Sequence, residues 1–151
     1  MPQGPVSPAV TVSVVIPCRD DGAHLWRCLR ALSAQTLAPT EIVVVDNAST
    51  DDSAEIARAA GVRVVFCGER GIPAAAATGY DAARGELILR LDADSLPDPT
   101  WVQSMVDALA DPTVDAVTGG AVFHDGPARR RVSMARLFLG TYATFATPAL
   151  G

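Results

Sequence analysis

The tripeptide Asp92-Ala93-Asp94 closes an apolar run, Leu87-Ile88-Leu89-Arg90-Leu91. Two carboxylates spaced i, i+2, where a strand breaks into a loop, can turn onto one hard divalent cation. Mg²⁺ and Mn²⁺ take oxygen ligands and often share them with substrate phosphates. Two more polar clusters follow apolar runs in the same way. Pro17-Cys18-Arg19-Asp20-Asp21 follows Thr11-Val12-Ser13-Val14-Val15-Ile16, and Asp46-Asn47 ends Glu41-Ile42-Val43-Val44-Val45. His24 at a helix start and His124 in a strand-end loop read as ordinary surface residues.

These clusters need a frame that brings them together. The β-branched run 11–16, stopped by Pro17, reads as a buried strand. From Ala23 to Thr36, Leu25, Leu29 and Leu32 recur at helical spacing, widened by Trp26 and Cys28. Glu41 to Asp46 reads as a second strand. Ser49-Thr50-Asp51-Asp52 offers N-caps for a helix to Ala60, and Gly61 suits its C-terminal end. Arg63 to Cys67 is a third strand, Ile72 to Ala83 an Ala-rich helix, and Glu86 to Asp92 a fourth strand. Pro99 or Thr100 opens a helix to Ala110, and Val114 to Phe123 reads as a further strand, loosened by Gly119-Gly120. Strands alternating with helices imply βαβ units and a largely parallel sheet, an α/β fold. In such sheets ligands sit beyond the carboxyl ends of the strands, where all three polar clusters fall.

The bulk numbers narrow the function classes. The chain has 151 residues, 49% hydrophobic and 19% charged, which suits one globular domain with a real core. Its net charge of −5, with no Lys at all, argues against broad nucleic-acid binding. No secretory signal is visible, so a cytoplasmic location is expected. Cys18, Cys28 and Cys67 have no metal-site spacing and are expected to be reduced and buried. No glycine-rich phosphate loop follows the first strand, which disfavours nucleotidyltransferases and dinucleotide-dependent oxidoreductases.

In the order and spacing of its blocks, the chain resembles the family 2 glycosyltransferases. The resemblance rests on Val12-Ser13-Val14-Val15-Ile16-Pro17, on Gln35-Thr36 followed by Glu41 to Asp51, and on Gly85-Glu86 through Asp92-Ala93-Asp94. Cys18-Arg19-Asp20-Asp21 stands where the family has a small-aromatic-Asn-Glu segment. The resemblance implies a Rossmann-like GT-A fold, a mostly parallel sheet flanked by helices, here truncated at its C-terminal side. Residues 1–10 would be a flexible leader, 11–127 the nucleotide-sugar-binding domain, and 128–151 an apolar tail that begins a missing acceptor half.

The resemblance further implies a metal-dependent, inverting transfer of a sugar from a nucleotide-diphosphate sugar, expected to be a UDP-sugar, to an acceptor hydroxyl. The alternative is a non-catalytic or truncated nucleotide-sugar-binding fragment that needs a further segment or partner. Pro17, Cys18, Arg19, Asp21, Asp46, Asn47, Arg70, Asp92 and Ala93 would hold the donor, with Asp46 on the base. Asp94, with Asp92, would hold Mn²⁺ or Mg²⁺. The general base is expected outside this chain, with Asp125 a weak candidate within it. The acceptor, saccharide or lipid-linked, is open. Residues 134–151 would serve self-association or contact with the inner face of a membrane. Arg129-Arg130-Arg131 reads as a solvated run, with an anionic lipid as the other reading. The family's Arg-Asn pair on the third helix is replaced here by Ala76-Ala77, and Arg70 is the substitute guanidinium.

Overall fold

A computed structural model describes residues 10–119. Eight elements alternate along them: β1 (Val12–Cys18), α1 (Gly22–Ser33), β2 (Glu41–Asp46), α2 (Ser53–Ala59), β3 (Arg63–Phe66), α3 (Ile72–Ala82), β4 (Leu87–Arg90) and α4 (Trp101–Leu109). The four strands form one sheet in the order β3-β2-β1-β4, and every pairing is parallel. The expected α/β architecture is present. The chain's contacts divide it after Thr113, and all eight elements precede that point.

β1 lies inside the sheet and is buried on both faces. Its even-numbered residues Val12, Val14, Ile16 and Cys18 pack with Leu25, Cys28, Leu29 and Leu32 of α1, Ala57 of α2 and Val102 of α4. Val15, with Val43 and Val45 of β2, packs instead on Ala75 of α3. The alternation follows from the two-residue period of a strand. α3 can lie this close because Gly79 has no side chain. A Cβ there would sit 2.3 Å from Val15 Cγ1 and 2.9 Å from Val45 Cγ2.

Pro17 acts differently from the expectation that it stops the first strand. β1 continues through Pro17 to Cys18, paired with Val45 and Asp46 of β2. What Pro17 ends is the ladder with β4. The Val15 carbonyl accepts from the Leu91 amide on that side, 3.0–3.2 Å being ordinary for such bonds, here 3.1 Å. Pro17, two residues on, faces the same side and has no N–H to continue the pairing. β4 therefore stops at Arg90, short of the expected Asp92, and releases Asp92-Ala93-Asp94 into a loop.

α1 ends at Ser33 rather than Thr36 because Gln35 has other partners. Its side-chain oxygen accepts from the Val102 amide at the start of α4 (2.9 Å), and its nitrogen donates to the Asp98 carbonyl (2.6 Å). The Thr36 amide donates to the Pro99 carbonyl at 2.8 Å. The described part of the expected strand 114–123, residues 114–119, forms no strand. Residues 120–123, the tail 128–151, His124, Asp125 and Arg129-Arg130-Arg131 lie outside the described residues. Among the described residues no helix is long and apolar enough to cross a membrane.

At the amino end of the sheet a buried polar knot ties four segments. The fully buried Ser13 hydroxyl donates to Glu41 Oε1 at 2.6 Å and accepts from the Gly85 amide at 2.8 Å. Glu41 also accepts from the Arg84 amide (2.6 Å) and pairs with Arg63 (3.0 Å). Arg63 donates in turn to the Ala82 carbonyl. Burial opposes ionisation of Glu41, but the Ser13 hydroxyl, the Arg84 amide and the Arg63 guanidinium outweigh it and lower its pKa.

A depressed native pKa gives stability that is present above the unfolded value and lost as pH falls through the native one. Glu41→Gln is expected to destabilise by about 1–3 kcal/mol at neutral pH, the range for breaking a charged hydrogen-bonded network. It should also flatten the acid limb of the stability curve below the ordinary glutamate pKa. Urea denaturation at neutral and acid pH measures both effects.

Candidate functional site

Parallel pairing sends the carboxyl ends of all four strands to one rim. Phe66, Asp46, Cys18 and Arg90 close β3, β2, β1 and β4 in that spatial order. The chain builds outward from β1 through β2 to β3, then crosses to β4 on β1's other side. The direction of winding therefore reverses between β1 and β4, where open α/β sheets bind ligands.

After β4 a turn forms in which the Ser95 amide donates to the Asp92 carbonyl at 3.0 Å. Within it Ala93 is buried in the core, while Asp92 and Asp94 on either side are exposed. The inward methyl group thus turns both carboxylates out. Asp92 Oδ1 pairs with the Arg90 guanidinium at 3.0 Å. The Arg90 pKa is raised: burial opposes this, and the Asp92 carboxylate, with Tyr80, outweighs it. Asp94 takes part in no side-chain hydrogen bond or ion pair among the described residues. No group of three or more metal-ligating side chains occurs among them either. A pair of carboxylate ligands fits Mg²⁺ or Mn²⁺, which keep waters and complete their shells with substrate phosphates. It does not fit a closed structural site, which needs about four protein ligands.

Asp46, at the end of β2, accepts the Ser49 amide on Oδ1 at 3.0 Å and is only partly buried. The next residue, Asn47, is buried. Its amide nitrogen donates to the Cys67 and Glu69 carbonyls at 3.1 and 2.6 Å, and its oxygen accepts the Gly71 amide at 2.9 Å. Both Asn47 donors are therefore engaged within the protein. The side chain fixes the loop that carries the exposed Arg70, where Gly71 holds a φ of 131°. Gly is suited to that region of backbone space.

The loops after β1 and β2 are sewn together. Asp20 accepts from the Thr50 amide (2.6 Å) and hydroxyl (3.1 Å), and its own amide donates to the Ser49 hydroxyl at 3.2 Å. The Asp21 amide donates to Ser53 Oγ at 3.1 Å. Asp51 accepts from the Ser53 amide (3.0 Å) and hydroxyl (2.5 Å) and from the Gly22 amide (3.1 Å). One carboxylate so serves the first turns of both α1 and α2, where helix dipoles favour negative charge. The Ser53 hydroxyl first, and the Gly22 and Ser53 amides after it, lower the Asp51 pKa against the opposing effect of burial. Asp20 and Ala48 take left-handed backbone, at φ 49° and 53°. Such residues are uncommon outside glycine and collect in functional loops.

The expected donor residues thus separate into groups. Pro17, Asp46, Asp92 and Asp94 stand on one rim with polar or open faces toward solvent, and Arg19 and Arg70 are exposed in the adjoining loops. The Cys18 and Ala93 side chains point into the core, leaving only their backbone for a ligand. Asp21 pairs with the exposed His24 at 2.5 Å. All three cysteines are free and buried, as expected. Burial chiefly pushes the Cys18 and Cys28 thiols up, to about 11 and about 12. Sequence reading missed Asp51 as a link between loops, Asn47 as a loop anchor, and Arg90 as a partner of Asp92. Only the strand period offered a signal for Arg90, since Leu87 and Leu89 face the core and position 90 does not.

Comparison with known proteins bears on the family and the fold. The model of the family described as Glycosyl transferase family 2 matches residues 13–148. Glycosyltransferase AglE of Haloferax volcanii is 32% identical over 120 residues, covering 74% of this chain and 40% of that protein. The undecaprenyl-phosphate 4-deoxy-4-formamido-L-arabinose transferase of Pseudomonas aeruginosa is 36% identical over 113 residues, covering 68% of this chain and 33% of that protein. Among solved structures, the mannosyltransferase PcManGT of Pyrobaculum calidifontis, in complex with GDP-Man and Mn²⁺, superposes with a TM-score of 0.65 at 31% identity, over 70% of this chain and 34% of that one. Glucosyl-3-phosphoglycerate synthase of Mycobacterium tuberculosis, in complex with Mn²⁺, UDP and glucosyl-3-phosphoglycerate, gives 0.61 at 27% identity, over 70% and 41%. The chain spans 33–40% of the length of these two curated relatives.

Asn47→Ala would remove the side-chain partner of the Cys67 carbonyl and the Gly71 amide and leave the Glu69 carbonyl with only the weak Cys67 thiol donor. It is expected to destabilise by about 1–3 kcal/mol, the range for buried polar groups left unsatisfied. Amide exchange should show the effect as loss of protection at Gly71, with β1 amides still protected.

Proposed function

The chain belongs to glycosyl transferase family 2, and from that premise we propose that it binds the donor in transfer of a sugar from a nucleoside-diphosphate sugar to an acceptor hydroxyl. The observation that carries the reading is the rim itself. Two exposed carboxylates at the end of β4 lie across the winding reversal from the end of β1, and Asp46 ends the strand on β1's other side. Neighbours of the same GT-A fold include one complexed with UDP and Mn²⁺ and one with GDP-Man and Mn²⁺, which supports placing diphosphate and cation here.

Each residue then has a role. Asp94, with Asp92, would hold Mn²⁺ or Mg²⁺ against the diphosphate oxygens. When bound, the cation supplies positive charge that stabilises the leaving diphosphate. Asp46 would accept an N–H of the base. Its Oδ1 already takes the Ser49 amide, so Oδ2 is the oxygen free for one further donor. A UDP-sugar is the donor this reading expects, with the imide N–H of uracil donating to Asp46. Pro17 and Arg19 would border the base and ribose, and Arg70 would reach the phosphates.

The reaction proposed is inverting. The acceptor oxygen bonds to the anomeric carbon as the bond from that carbon to the diphosphate oxygen breaks. The hydroxyl proton passes to a carboxylate base, and the electron pair leaves with the nucleoside diphosphate. Asp125 is this chain's own candidate for the base. The alternative source is a further segment or partner chain, and in that case the chain alone binds the donor without transferring it. Acceptors attached to lipid phosphates are consistent with the named activity of the Pseudomonas relative.

Calorimetric titration with UDP tests the site. Binding is expected with Mn²⁺ and not with EDTA, because a diphosphate beside Asp92 and Asp94 otherwise meets like charge. Asp94→Ala should abolish the Mn²⁺ dependence. Equal affinity with and without cation would remove the metal role. Asp46→Ala should weaken UDP binding by about 1–3 kcal/mol, as for loss of a charged hydrogen-bond partner, and should narrow the preference for UDP over GDP. Equal losses for both nucleotides would make Asp46 structural.

A further inference from the structure

Arg90 is the last residue of β4 and stands two positions before the first carboxylate of the turn. Leu87 and Leu89 pack toward the α1 face, so Arg90 lies on the opposite side of the strand with Ile88, and both are exposed. Its guanidinium holds Asp92 Oδ1 at 3.0 Å. The same oxygen is one a divalent cation would take. A guanidinium and a dication cannot both crowd one carboxylate oxygen without like-charge repulsion. Among the described residues Asp94 has no comparable partner.

We propose that Arg90 is a positioning residue that makes cation and diphosphate enter this site together rather than separately. The inference rests on the donor-site reading above. Without a donor, Arg90 neutralises Asp92 and competes with a lone cation for it. When cation and diphosphate arrive together, the cation takes the carboxylate. Arg90 then turns its N–H groups to the phosphate oxygens, whose geometry matches a planar fork. Charge accounting favours this order. Asp92, Asp94 and Arg90 sum to −1, a lone dication makes the cluster +1, and the anionic diphosphate restores a net negative charge. Arg90 thus lowers attraction for the bare cation and raises it for the anionic nucleotide. By linkage it increases the coupling between the two ligands.

The test measures two affinities in the full chain carrying Arg90→Gln or Arg90→Lys. Free Mn²⁺ is followed by its paramagnetic resonance signal without nucleotide, and UDP is titrated calorimetrically at saturating Mn²⁺. Arg90→Gln is expected to bind Mn²⁺ alone about two- to fivefold more tightly, the scale of an exposed ion pair. It should bind UDP about tenfold more weakly, as for loss of a charged hydrogen bond. Arg90→Lys keeps the charge, so its Mn²⁺ affinity should stay near wild type, while UDP binding weakens because a lysine offers no fork. The opposite signs are the signature, since a merely structural residue would weaken both. Unchanged affinities in Arg90→Gln, or two changes of the same sign, would overturn the proposal. Should Arg90→Gln not fold, Arg90→Lys carries the test, and wild-type UDP affinity in it would overturn the proposal. Failure of the wild-type chain to bind UDP with Mn²⁺ would instead remove the donor site on which both readings stand.

Discussion

The missing amide hydrogen of Pro17 is the constraint on which the rim depends. β1 is paired on both edges and, like β2, has helices packed on both faces. On its β2 edge the pairing runs to Cys18 and carries Asp46 to the end of the sheet. On its β4 edge the pairing stops three residues earlier, at Val15, since Pro17 has nothing to donate. The same strand therefore holds one acidic residue in the ladder and releases a pair into a turn. Asp46 is held by the sheet, as suits recognition of a rigid base. Asp92 and Asp94 sit in a turn, as suits ligands that must converge on a cation.

Rigidity is distributed unevenly around that rim, and the distribution has a chemical sense. On the β2 side every loop is tied to another. Asn47 anchors the loop after β3, Asp20 and Asp51 sew the loops after β1 and β2, and the Asp51 carboxylate joins two helix starts. Preorganised polar groups of this kind do not have to reorder when a ligand arrives. On the β4 side, among the described residues, the carboxylates are held by the Ser95–Asp92 turn, the Arg90–Asp92 pair and a long Cys28 thiol contact to the Asp92 carbonyl. A ligand that brings its own cation is well served by that freedom, because the cation imposes its geometry on the oxygens it takes.

Much of this was legible in the sequence, and the reasons differ by element. All four described strands were, because buried parallel strands are continuous apolar runs bounded by polar residues. The rim clusters were legible because they close those runs. Element ends were less so. The end of α1 depends on Gln35 leaving the helix to serve α4, and the end of β4 depends on a proline more than seventy residues earlier. The loop-to-loop bonds of Asp20, Asn47 and Asp51 were hidden, because they depend on which loops the sheet order makes neighbours. Arg90 was hidden inside a run that read as uniformly apolar. The strand predicted from 114 does not form in its described part, where no sheet edge takes up those residues.

The two ends of the sheet show why binding belongs at one of them. At the amino end, Glu41 has found a hydroxyl, an amide and a guanidinium, and Arg63 has found Glu41 and a carbonyl. The charges of that knot neutralise one another, and among the described residues its one buried polar atom without a partner is the Arg63 Nε. At the carboxyl end the acids outnumber their partners. Asp20 and Asp51 are absorbed by the loops, Asp46 is half engaged, Asp92 has one arginine, and Asp94 stands open. A surplus of fixed negative charge opposes an anionic ligand unless positive charge arrives with it. The sheet thus leaves its electrostatic incompleteness on the rim where the winding reverses. On the proposed function, the ligand that completes it combines a cation with oxygen-rich groups, the chemistry of a metal-bound nucleoside diphosphate.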